Sequence, residues 1–464
     1  MIRIAAEWVV LAVVLFAILI AGCNSGGDDD DTGPPSGDDD TADDDTNFDD
    51  DQADDDIVDD DAGDDTADDD AVDDDTTDDD IADDDTGDDD TTDDDITDDD
   101  AIDDDTSDDD TADDDTTDDD TADDDTGDDD TFVGCVTGEF TAYFGNLHAH
   151  SSFSDGEGTP EEAYAYARDE GHLDIFALTD HLEQLYLPFP PGKWETIKET
   201  AASFYEPGVY VPLAGYEYGS GFELIPQPPF FMSTGHDNVF FVDYLFPIIQ
   251  LDYHNFFTSL IECPTCYASF NHPGDDQSNW NDFEYNGAVD AKINLFELSG
   301  AGDPWPIYFD ALDKGWHISP VWDEDNHSAD WGTKDDHRAG MWLAELTIPE
   351  VNKAVHDRRT FSTLDKNATI SLKTVGGCWM GSDIHGSLSA SLIIEVRDPD
   401  SGDGFETIEL YTRGQTLLGQ NPCNGETICT WAVDVTLDQS GYVLARAIQT
   451  DGDILVSAPI WLYE

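Results

Sequence analysis

The sequence predicts an α/β barrel followed by a small antiparallel β-sandwich, with a long disordered acidic linker in front of both. Three patterns predict this order. Residues 28–131 come close to a five-residue repeat of three Asp and two small or apolar residues. Strand-like and helix-like runs then alternate over about 230 residues, which is typical of an α/β barrel. From residue 367 to residue 464, short alternating runs are separated by Gly, Asp and Asn, which is typical of antiparallel strands.

The first 23 residues have the pattern of a bacterial export signal. Arg3 precedes an apolar run, Trp8–Ile20, and small residues then lead to Cys23. A charged start, a hydrophobic stretch and small residues before a cut site are typical of secretion signals. The ending I-A-G-C resembles the bacterial lipobox, which implies that Cys23 is lipidated. The alternative is an uncleaved anchor, but the apolar run is short for a membrane span. We therefore expect a lipid-anchored protein of the cell envelope, at the outer membrane and facing the periplasm or the surface.

Residues 24–131 are predicted to be a disordered linker. About 60 of the 112 acidic residues lie here, and the repeat contains no Lys or Arg. Mutual repulsion and the lack of apolar side chains predict an extended, solvated spacer. Divalent cations should condense loosely on it, whereas the spacing of an EF-hand calcium site is absent. The remaining residues still carry about −36 of the formal charge of −96, so we expect no nucleic-acid partner.

Residues 132–366 carry the predicted barrel. Its strands are the runs 140–150, 174–181, 209–217, 236–242, 268–272, 291–298, 318–325 and 341–346. Its helices begin with a capped start at Thr159-Pro160 and continue with 194–204, 255–262, 307–314 and 349–358. In α/β barrels the functional side chains lie at the C-terminal ends of the strands. Because His, Asp or Glu residues stand at most of these ends, the sequence predicts a polar site at one rim.

The predicted β-sandwich, residues 367–464, contains no catalytic cluster. We expect it to be a packing or interaction module, with carbohydrate binding through its aromatic residues as the alternative. Two of the six cysteines beyond the signal, Cys423 and Cys429, lie close together on a predicted hairpin. In an oxidising compartment such pairs persist as disulfides.

The other four cysteines leave more than one reading open. Cys263 and Cys266 form a lone C-P-T-C, and without a second such motif a disulfide or redox-inert pair is favoured over zinc. Cys135 and Cys378 could join the two folded domains. The sequence does not decide this last pairing.

The N-L-H-A-H-S-S-F-S-D-G stretch at residues 146–156 has the pattern of a metal site. His148 and His150 end the first predicted strand, and residues two apart on a strand point to the same side. The two imidazoles can therefore converge as neutral ligands for zinc, manganese or iron. Asp155 follows in a Ser-Asp-Gly turn, where the chain can fold back and bring a carboxylate near the pair.

Six motifs follow one another in the order found in the PHP superfamily, named for polymerase and histidinol phosphatase. They are His148-x-His150-x4-Asp155, Thr179-Asp180-His181, Gly215-Tyr-Glu217, Gly235-His236-Asp-Asn238, Asn271-His272-Pro273 and Asp325-Asn-His327. The runs 315–327 and 358–365 further resemble the CehA/McbA-like branch. The resemblance covers about residues 138–464. It implies a distorted seven-stranded (β/α) barrel that holds two or three divalent metal ions.

The resemblance also implies which of nine ligand residues would bind each metal ion. One metal would be held by His148, His150, Glu217 and Asp325, a second by Glu217, His236 and His272, and a third by Asp155, His181 and His327. Many relatives have a His where this chain has Asp155, and that difference would weaken or change the third site.

These ligands predict a hydrolase. Two close metal ions can generate hydroxide near neutral pH and clamp both oxygens of a displacement, so we expect a metal-bound hydroxide to attack a phosphoester. The substrate would be a small-molecule or polymer ester. Arg338 could hold its phosphate or carboxylate, with a surface ion pair as the alternative. Asp180 and Glu297 are expected to orient ligand imidazoles.

Two other functions stay open at this point. The CehA/McbA resemblance implies hydrolysis of a carboxylic or carbamate ester at the same site. A non-catalytic surface binding protein could instead keep metal ions for stability alone. A metal position open to solvent would separate catalysis from that last alternative.

Overall fold

The computed structural model describes residues 133–219, 235–248, 253–274, 280–300 and 303–464. The predicted export signal with Cys23 and the predicted linker lie outside the described residues. Within those residues, no helix is long and apolar enough to cross a membrane. They form a mixed α/β fold, as predicted.

The first part of the fold alternates strands and helices. The strands are β1 Thr141–Asn146, β2 Ile175–Leu178, β3 Val211–Ala214, β4 Tyr216–Tyr218, β5 Asp237–Phe240, β6 Tyr267–Phe270, β7 Ile293–Glu297, β8 Ser319–Val321, β9 Arg338–Leu343 and β10 Thr360–Thr363. The helices are α1 Pro160–Asp169, α2 Leu182–Leu185, α3 Lys193–Phe204, α4 Tyr253–Glu262, α5 Pro304–Lys314 and α6 Ile348–His356. The segment Trp280–Phe283 is a short turn whose residues have positive φ.

Helix α1 shows why the local sequence predicts these elements well. Thr159 caps the helix by accepting from the backbone N–H of Glu162, and the Glu162 carboxylate accepts from the backbone N–H of Thr159. Pro160 stands at the first helical position, where its missing N–H costs nothing. Ala163 and Ala167 lie on the same face and are fully buried against the core.

Two sheets carry the strands of this part. In one, β1 pairs in parallel with β2 and β2 with β3, while β9 pairs antiparallel with β1. The other has the order β4-β5-β6-β7-β8, in which β5 is antiparallel to both neighbours. Isolated bridges join His181 to Glu217 and Ala149 to Asn326, so the strand pairing from β1 to β8 runs in a closed circuit. The number of barrel strands stays a prediction.

The C-terminal part is built mainly of antiparallel strands. Its strands are β11 Thr369–Thr374, β12 Asp383–Ile384, β13 Ser389–Arg397, β14 Phe405–Thr412, β15 Thr416–Glu426, β16 Ile428–Thr436, β17 Gly441–Gln449, β18 Ile454–Ser457 and β19 Ile460–Leu462. Strand β12 pairs in parallel with β19, whereas the other pairings among these strands are antiparallel. Strand β10 pairs with β9 on one side and β18 on the other, and β18 pairs with β17. Pairing therefore continues across residue 366, and the boundary drawn there stays a prediction.

All three cysteine pairs considered from the sequence are disulfides. Cys423–Cys429 links β15 to β16, and Cys263–Cys266 closes the C-P-T-C turn. Cys135–Cys378 joins the segment before β1 to the segment after β11, with Cα atoms 5.0 Å apart. The pairing that the sequence left open thus ties the start of the fold to its C-terminal part.

Candidate metal centre

The nine residues predicted as ligands come from the ends of different strands and gather at one rim. His148 and His150 follow β1, and His181 follows β2. His236 directly precedes β5, which runs in the opposite direction, so its first residue lies at the rim where its neighbours end. Glu217 lies in β4, His272 follows β6, and Asp325 and His327 follow β8.

His148 and His150 face each other in the buried part of the cluster. Their Nε2 atoms are 3.2 Å apart, and both side chains are fully buried. Asp325 places Oδ1 3.2 Å from Nε2 of His148 and 3.1 Å from Nε2 of His150. The carboxylate of Glu217 lies 3.3 Å from Nε2 of His148 and 3.5 Å from Nε2 of His150. Side chains from separate segments of the chain therefore converge on a space of a few ångströms.

The donor chemistry of His148 fits a cation in this space. Its Nδ1 lies 2.8 Å from Oε1 of Glu297, so that nitrogen carries the proton in the neutral ring. Nε2 then presents a lone pair toward the oxygens of Glu217 and Asp325, which are acceptors as well. Acceptors packed this closely repel one another unless a proton or a metal ion lies between them.

Glu217 is the centre of the cluster. Its carboxylate is 1% exposed and lies 2.9 Å from Nδ1 of His181, 3.1 Å from Nδ1 of His236 and 3.2 Å from Nε2 of His272. Burial opposes the charge, yet His148, His236 and His181 hold the pKa of this carboxyl well below its ordinary value. A carboxylate that reaches several imidazoles from two oxygens has the geometry of a bridging ligand.

Asp155 lies at the solvent-facing end of the cluster. Its side chain is 47% exposed, and its oxygens lie 3.5 Å from Nε2 of His181, 3.3 Å from Nε2 of His327 and 3.8 Å from Nδ1 of His150. Partial burial opposes the charge, but hydrogen bonds from His181 and His327 outweigh it and lower the pKa of Asp155. A charged carboxylate at this end of the cluster thus faces three imidazoles.

His150 and Asp325 are in the protonation states that bind a metal ion. Burial lowers the pKa of His150 to about 4, although the hydrogen bond to Asp325 opposes this. His150 is therefore neutral at physiological pH and offers a lone pair, which is the form that binds metals. Desolvation would raise the pKa of Asp325, but His148 and His150 lower it, so this carboxylate is charged.

Together these side chains form three overlapping groups that could hold a metal ion. The groups are His150, Asp155, His181 and His327; His148, His150 and Asp325; and His148, Glu217 and His272. Within each group the ligand atoms lie within 4.8 Å of one another. The groups differ in detail from the predicted sharing, because His150 also reaches the outer group and His236 reaches the inner one only through Glu217.

Residues around the cluster hold its members in place. Glu297 accepts from Nδ1 of His148 with one oxygen and from the backbone N–H of His272, at 2.8 Å, with the other. Among the described residues, Asp180 accepts hydrogen bonds from Ser151 and Ser154 and from no imidazole. It accepts from the backbone and the hydroxyl of Ser154, and that hydroxyl lies 3.2 Å from Nδ1 of His150. Asp180 therefore reaches His150 through Ser154.

Two supporting residues were not singled out from the sequence. Ser154 stands four residues after His150 in the S-S-F-S-D run, which was a usable signal. Asn271 donates to Oε1 of Glu217 at 3.1 Å and accepts from the backbone N–H of Asn238. Its position beside His272 in the N-H-P motif was the only indication of that role in the sequence.

Arg338 is not part of the cluster contacts. It is buried in β9, and among the described residues its guanidinium donates to the backbone carbonyls of Asp335, His337 and Gly332. These bonds hold the side chain to the chain that follows the last motif. Its predicted role in holding a substrate anion stays a prediction.

Comparisons with known proteins give distant similarities. No protein-family model matches the chain. An uncharacterised protein of Chlamydia muridarum is 23% identical over 362 residues, which cover 69% of this chain and 57% of that protein. The chain therefore spans a little over half the length of this curated relative.

Solved structures are similar to parts of the chain at low TM-scores. A two-domain protein from Bacteroides vulgatus, containing a predicted PHP-like metal-dependent phosphoesterase, is 18% identical with a TM-score of 0.40, over 71% of this chain and 98% of its own. A superoxide reductase (neelaredoxin) from Ignicoccus hospitalis is 16% identical with a TM-score of 0.15, over 21% of this chain and 80% of its own.

Proposed function

We propose that the protein is a metal-dependent hydrolase of the PHP superfamily, in its CehA/McbA-like branch, that cleaves a phosphoester. The observation that carries the proposal is the convergence of nine His, Asp and Glu residues from segments spread over residues 148–327. Eight of them form three overlapping groups, and the ninth, His236, contacts Glu217. In this proposal β1–β8 form the distorted seven-stranded barrel of that superfamily, with β3 and β4, which only Gly215 separates, counted as one strand. Two or three zinc, manganese or iron ions bind at its rim.

Different residues of the cluster would bind the metal ions and orient the ligands. Divalent ions bound here would supply an activated water and polarise the ester oxygen. Glu217 and Asp325 bring the negative charge that binds the ions, and the neutral His150 adds a nitrogen ligand. Glu297 and Asp180 keep the imidazoles oriented, so that little reorganisation is needed when the substrate binds.

Solvent access favours catalysis over a metal site that serves stability alone. The inner side chains, His148 and Glu217, are at most 1% exposed, whereas Asp155, His327 and Asp325 are 47%, 39% and 36% exposed. A cation held at the outer end would keep contact with water or substrate. That is the arrangement expected of a catalytic metal rather than a structural one.

Aryl phosphates are the first substrates to test, and aryl carbamates are the alternative that the CehA/McbA resemblance implies.

We also propose that the protein is exported and anchored by a lipid on Cys23, and that the acidic linker holds the folded part away from the membrane. The export pattern and the repeat of residues 28–131 support this. Membrane fractionation of cells that express the full chain or Cys23→Ser tests it. The serine variant should leave the membrane fraction.

The hydrolase proposal is tested with metal-loaded, full-length protein on p-nitrophenyl phosphate and p-nitrophenyl carbamates. Activity should disappear with a chelator, return with added metal, and fall by about a thousandfold or more in His150→Ala. His385→Ala, outside the cluster, is the matched control and should keep its activity. Fully metallated protein that is inert on all these esters would contradict the proposal. Faster carbamate than phosphate hydrolysis would select the alternative.

A further inference from the structure

A buried lysine contacts the Asp155 loop, the segment of residues 151–156 that follows His150. Lys193 is the first residue of α3 and is 5% exposed. Burial disfavours a cation, and so does the first position of a helix, where the macrodipole is positive. The location of Lys193 therefore depends on the groups that its ammonium contacts.

The ammonium group of Lys193 joins two segments that carry predicted metal ligands. Its Nζ donates to the carbonyl oxygen of Phe153 at 2.7 Å and to that of Gln184 at 2.9 Å. Phe153 stands two residues before Asp155, and Gln184 lies in α2, three residues after His181. Two hydrogen bonds from one cation therefore tie the Asp155 loop to the helical turn that follows His181.

Asp180 holds the same peptide group of the Asp155 loop from its other side. In the peptide bond between Phe153 and Ser154, the carbonyl oxygen accepts from Lys193, and the N–H donates to Oδ1 of Asp180 at 2.9 Å. Burial lowers the pKa of Lys193, whereas the negative charge of Asp180 raises it. A buried cation and a buried anion thus fix the orientation of the peptide group that lies one residue before Asp155.

The orientation of this peptide group controls the side chains next to it. The Ser154 hydroxyl lies 3.2 Å from Nδ1 of His150. The Asp155 carboxylate lies 3.5 Å from Nε2 of His181 and 3.3 Å from Nε2 of His327. Because the Asp155 side chain is 47% exposed, its position depends mainly on the backbone of the loop. The four ligand residues form the outer group, which is His150, Asp155, His181 and His327.

We propose that Lys193 is a positioning residue for a metal ion in the outer group. This role rests on the metal centre of the proposed function, but not on which ester is cleaved there. Without the ammonium group, two carbonyl oxygens lose their shared donor, and the Asp155 loop is no longer tied to α2. The inner group, His148, Glu217 and His272, includes no residue of that loop or of α2, so its affinity for metal should be unchanged.

Zinc binding by the full-length, chelator-treated protein tests the proposal without a substrate. Competition against a chelating dye of known affinity gives the number of tightly bound ions and the Kd of each, and the acidic linker should hold cations too loosely to compete. Asp155→Asn identifies the ion of the outer group as the one whose binding weakens. We expect Lys193→Met, which keeps an unbranched side chain but has no N–H donor, to weaken that ion alone, by about tenfold or more. Lys198→Met, in the same helix, is the matched control and should bind as the wild type does, since the Lys198 ammonium donates to the carbonyl oxygen of Asp243, outside the cluster.

A positioning role can be separated from a general loss of stability. In the Asp155→Asn background, Lys193→Met should change the affinity for the remaining ions little, because the ligand that Lys193 positions is already gone. Lys193→Gln, which keeps an NH₂ donor, is a milder second variant in case Lys193→Met does not fold, and it should weaken the outer ion less. Hydrogen exchange of the metal-free wild type needs no variant: the Ser154 amide should exchange slowly before metal is added, because Lys193 and Asp180 already hold its peptide group.

Four results would overturn the role of Lys193. They are an outer ion bound as tightly in the folded Lys193 variants as in the wild type, an equal weakening of every ion, a wild type with no ion that is sensitive to Asp155→Asn, and fast exchange of the Ser154 amide in the metal-free wild type. A wild type with no tightly bound ion at all would contradict the proposed function as well. The other results would leave the proposed function standing.

Discussion

Glu297 offers a direct test of how the cluster is held together. Its two carboxylate oxygens accept two different donors, Nδ1–H of His148 and the backbone N–H of His272, each at 2.8 Å. Glu297→Gln keeps the size and shape of this fully buried side chain but leaves one acceptor instead of two. One of the two donors must then face the amide NH₂ group.

The expected loss of metal affinity follows from the two ways in which the protein can respond to Glu297→Gln. A buried donor left unpaired costs about 1–3 kcal/mol. Alternatively, His148 can move its proton from Nδ1 to Nε2, but Nε2 is the atom that faces Glu217 and Asp325, so the ring loses its lone pair where a metal would bind. Both responses weaken metal binding. We expect a loss of about 10–100-fold in affinity, the range typical of such outer partners and equal to about 1.4–2.8 kcal/mol.

The assay is competition for zinc or manganese against a chelating dye of known affinity, with metal per chain measured after equilibration. It does not depend on finding a substrate. Glu345→Gln, at an exposed position, is the matched control and should bind as the wild type does. If Glu297→Gln folds and its affinity stays close to that of the wild type, Glu297 does not orient the ligands of the cluster.

Three further predictions concern the fold. Thr159→Ala removes the cap of α1 and should lower the free energy of unfolding by about 1 kcal/mol in urea titrations. Gly340→Ala would place Cβ 2.1 Å from the ring of Phe361 and should cost about 1–3 kcal/mol in the same titration, whereas Gly376→Ala meets nothing nearer than 3.6 Å and should change little. Burial raises the pKa of Asp174 above the value of about 4 that it has in the unfolded chain. The protonated carboxyl therefore costs the folded protein nothing below about pH 4, whereas the charged carboxylate destabilises it once the pH exceeds the folded pKa. Asp174→Asn, which cannot ionise, should have a larger free energy of unfolding than the wild type at about pH 7 and nearly the same one at about pH 3.

Local signals in the sequence were enough to locate most strands and helices. Caps, apolar runs and glycines influence only the residues near them. Helices α1 and α5 therefore begin within a few positions of the starts that the sequence predicts. The predicted strand 209–217 is divided at Gly215, where an added Cβ would meet the carbonyl oxygen of Val239 at 2.9 Å. That contact belongs to a neighbouring strand and has no local signature.

Strand pairing at long range was beyond the sequence patterns. The strand predicted at 341–346 begins instead at Arg338, a polar residue that pairs with Thr363 of β10. Strand β10 was not predicted at all, because T-F-S-T is short and polar and becomes a strand only between β9 and β18. Its partner in β18 lies about 90 residues further along the chain.

The metal centre likewise combines residues that the local sequence reveals with contacts that only the folded chain creates. Histidines and carboxylates at strand ends are visible in the sequence, and the structure brings all nine of them together. The polar residues that orient them are common in every loop. Ser154 and Asn271 gain a role only from the atoms they meet in space, His150 and Asp180 for the first and Glu217 for the second.

The backbone at the centre shows that the fold holds the cluster against a local cost. His272 and Asp325 adopt positive φ values of 29° and 44°, a conformation that costs a residue with a side chain about 1–3 kcal/mol. At His272 the cost is offset by the bond from its N–H to Glu297, the same carboxylate that orients His148. The carboxylate of Glu297 thus fixes both the backbone of His272 and the ring orientation of His148. The effects of losing Glu297 and losing His272 must therefore be less than additive, since each removes part of what the other supports.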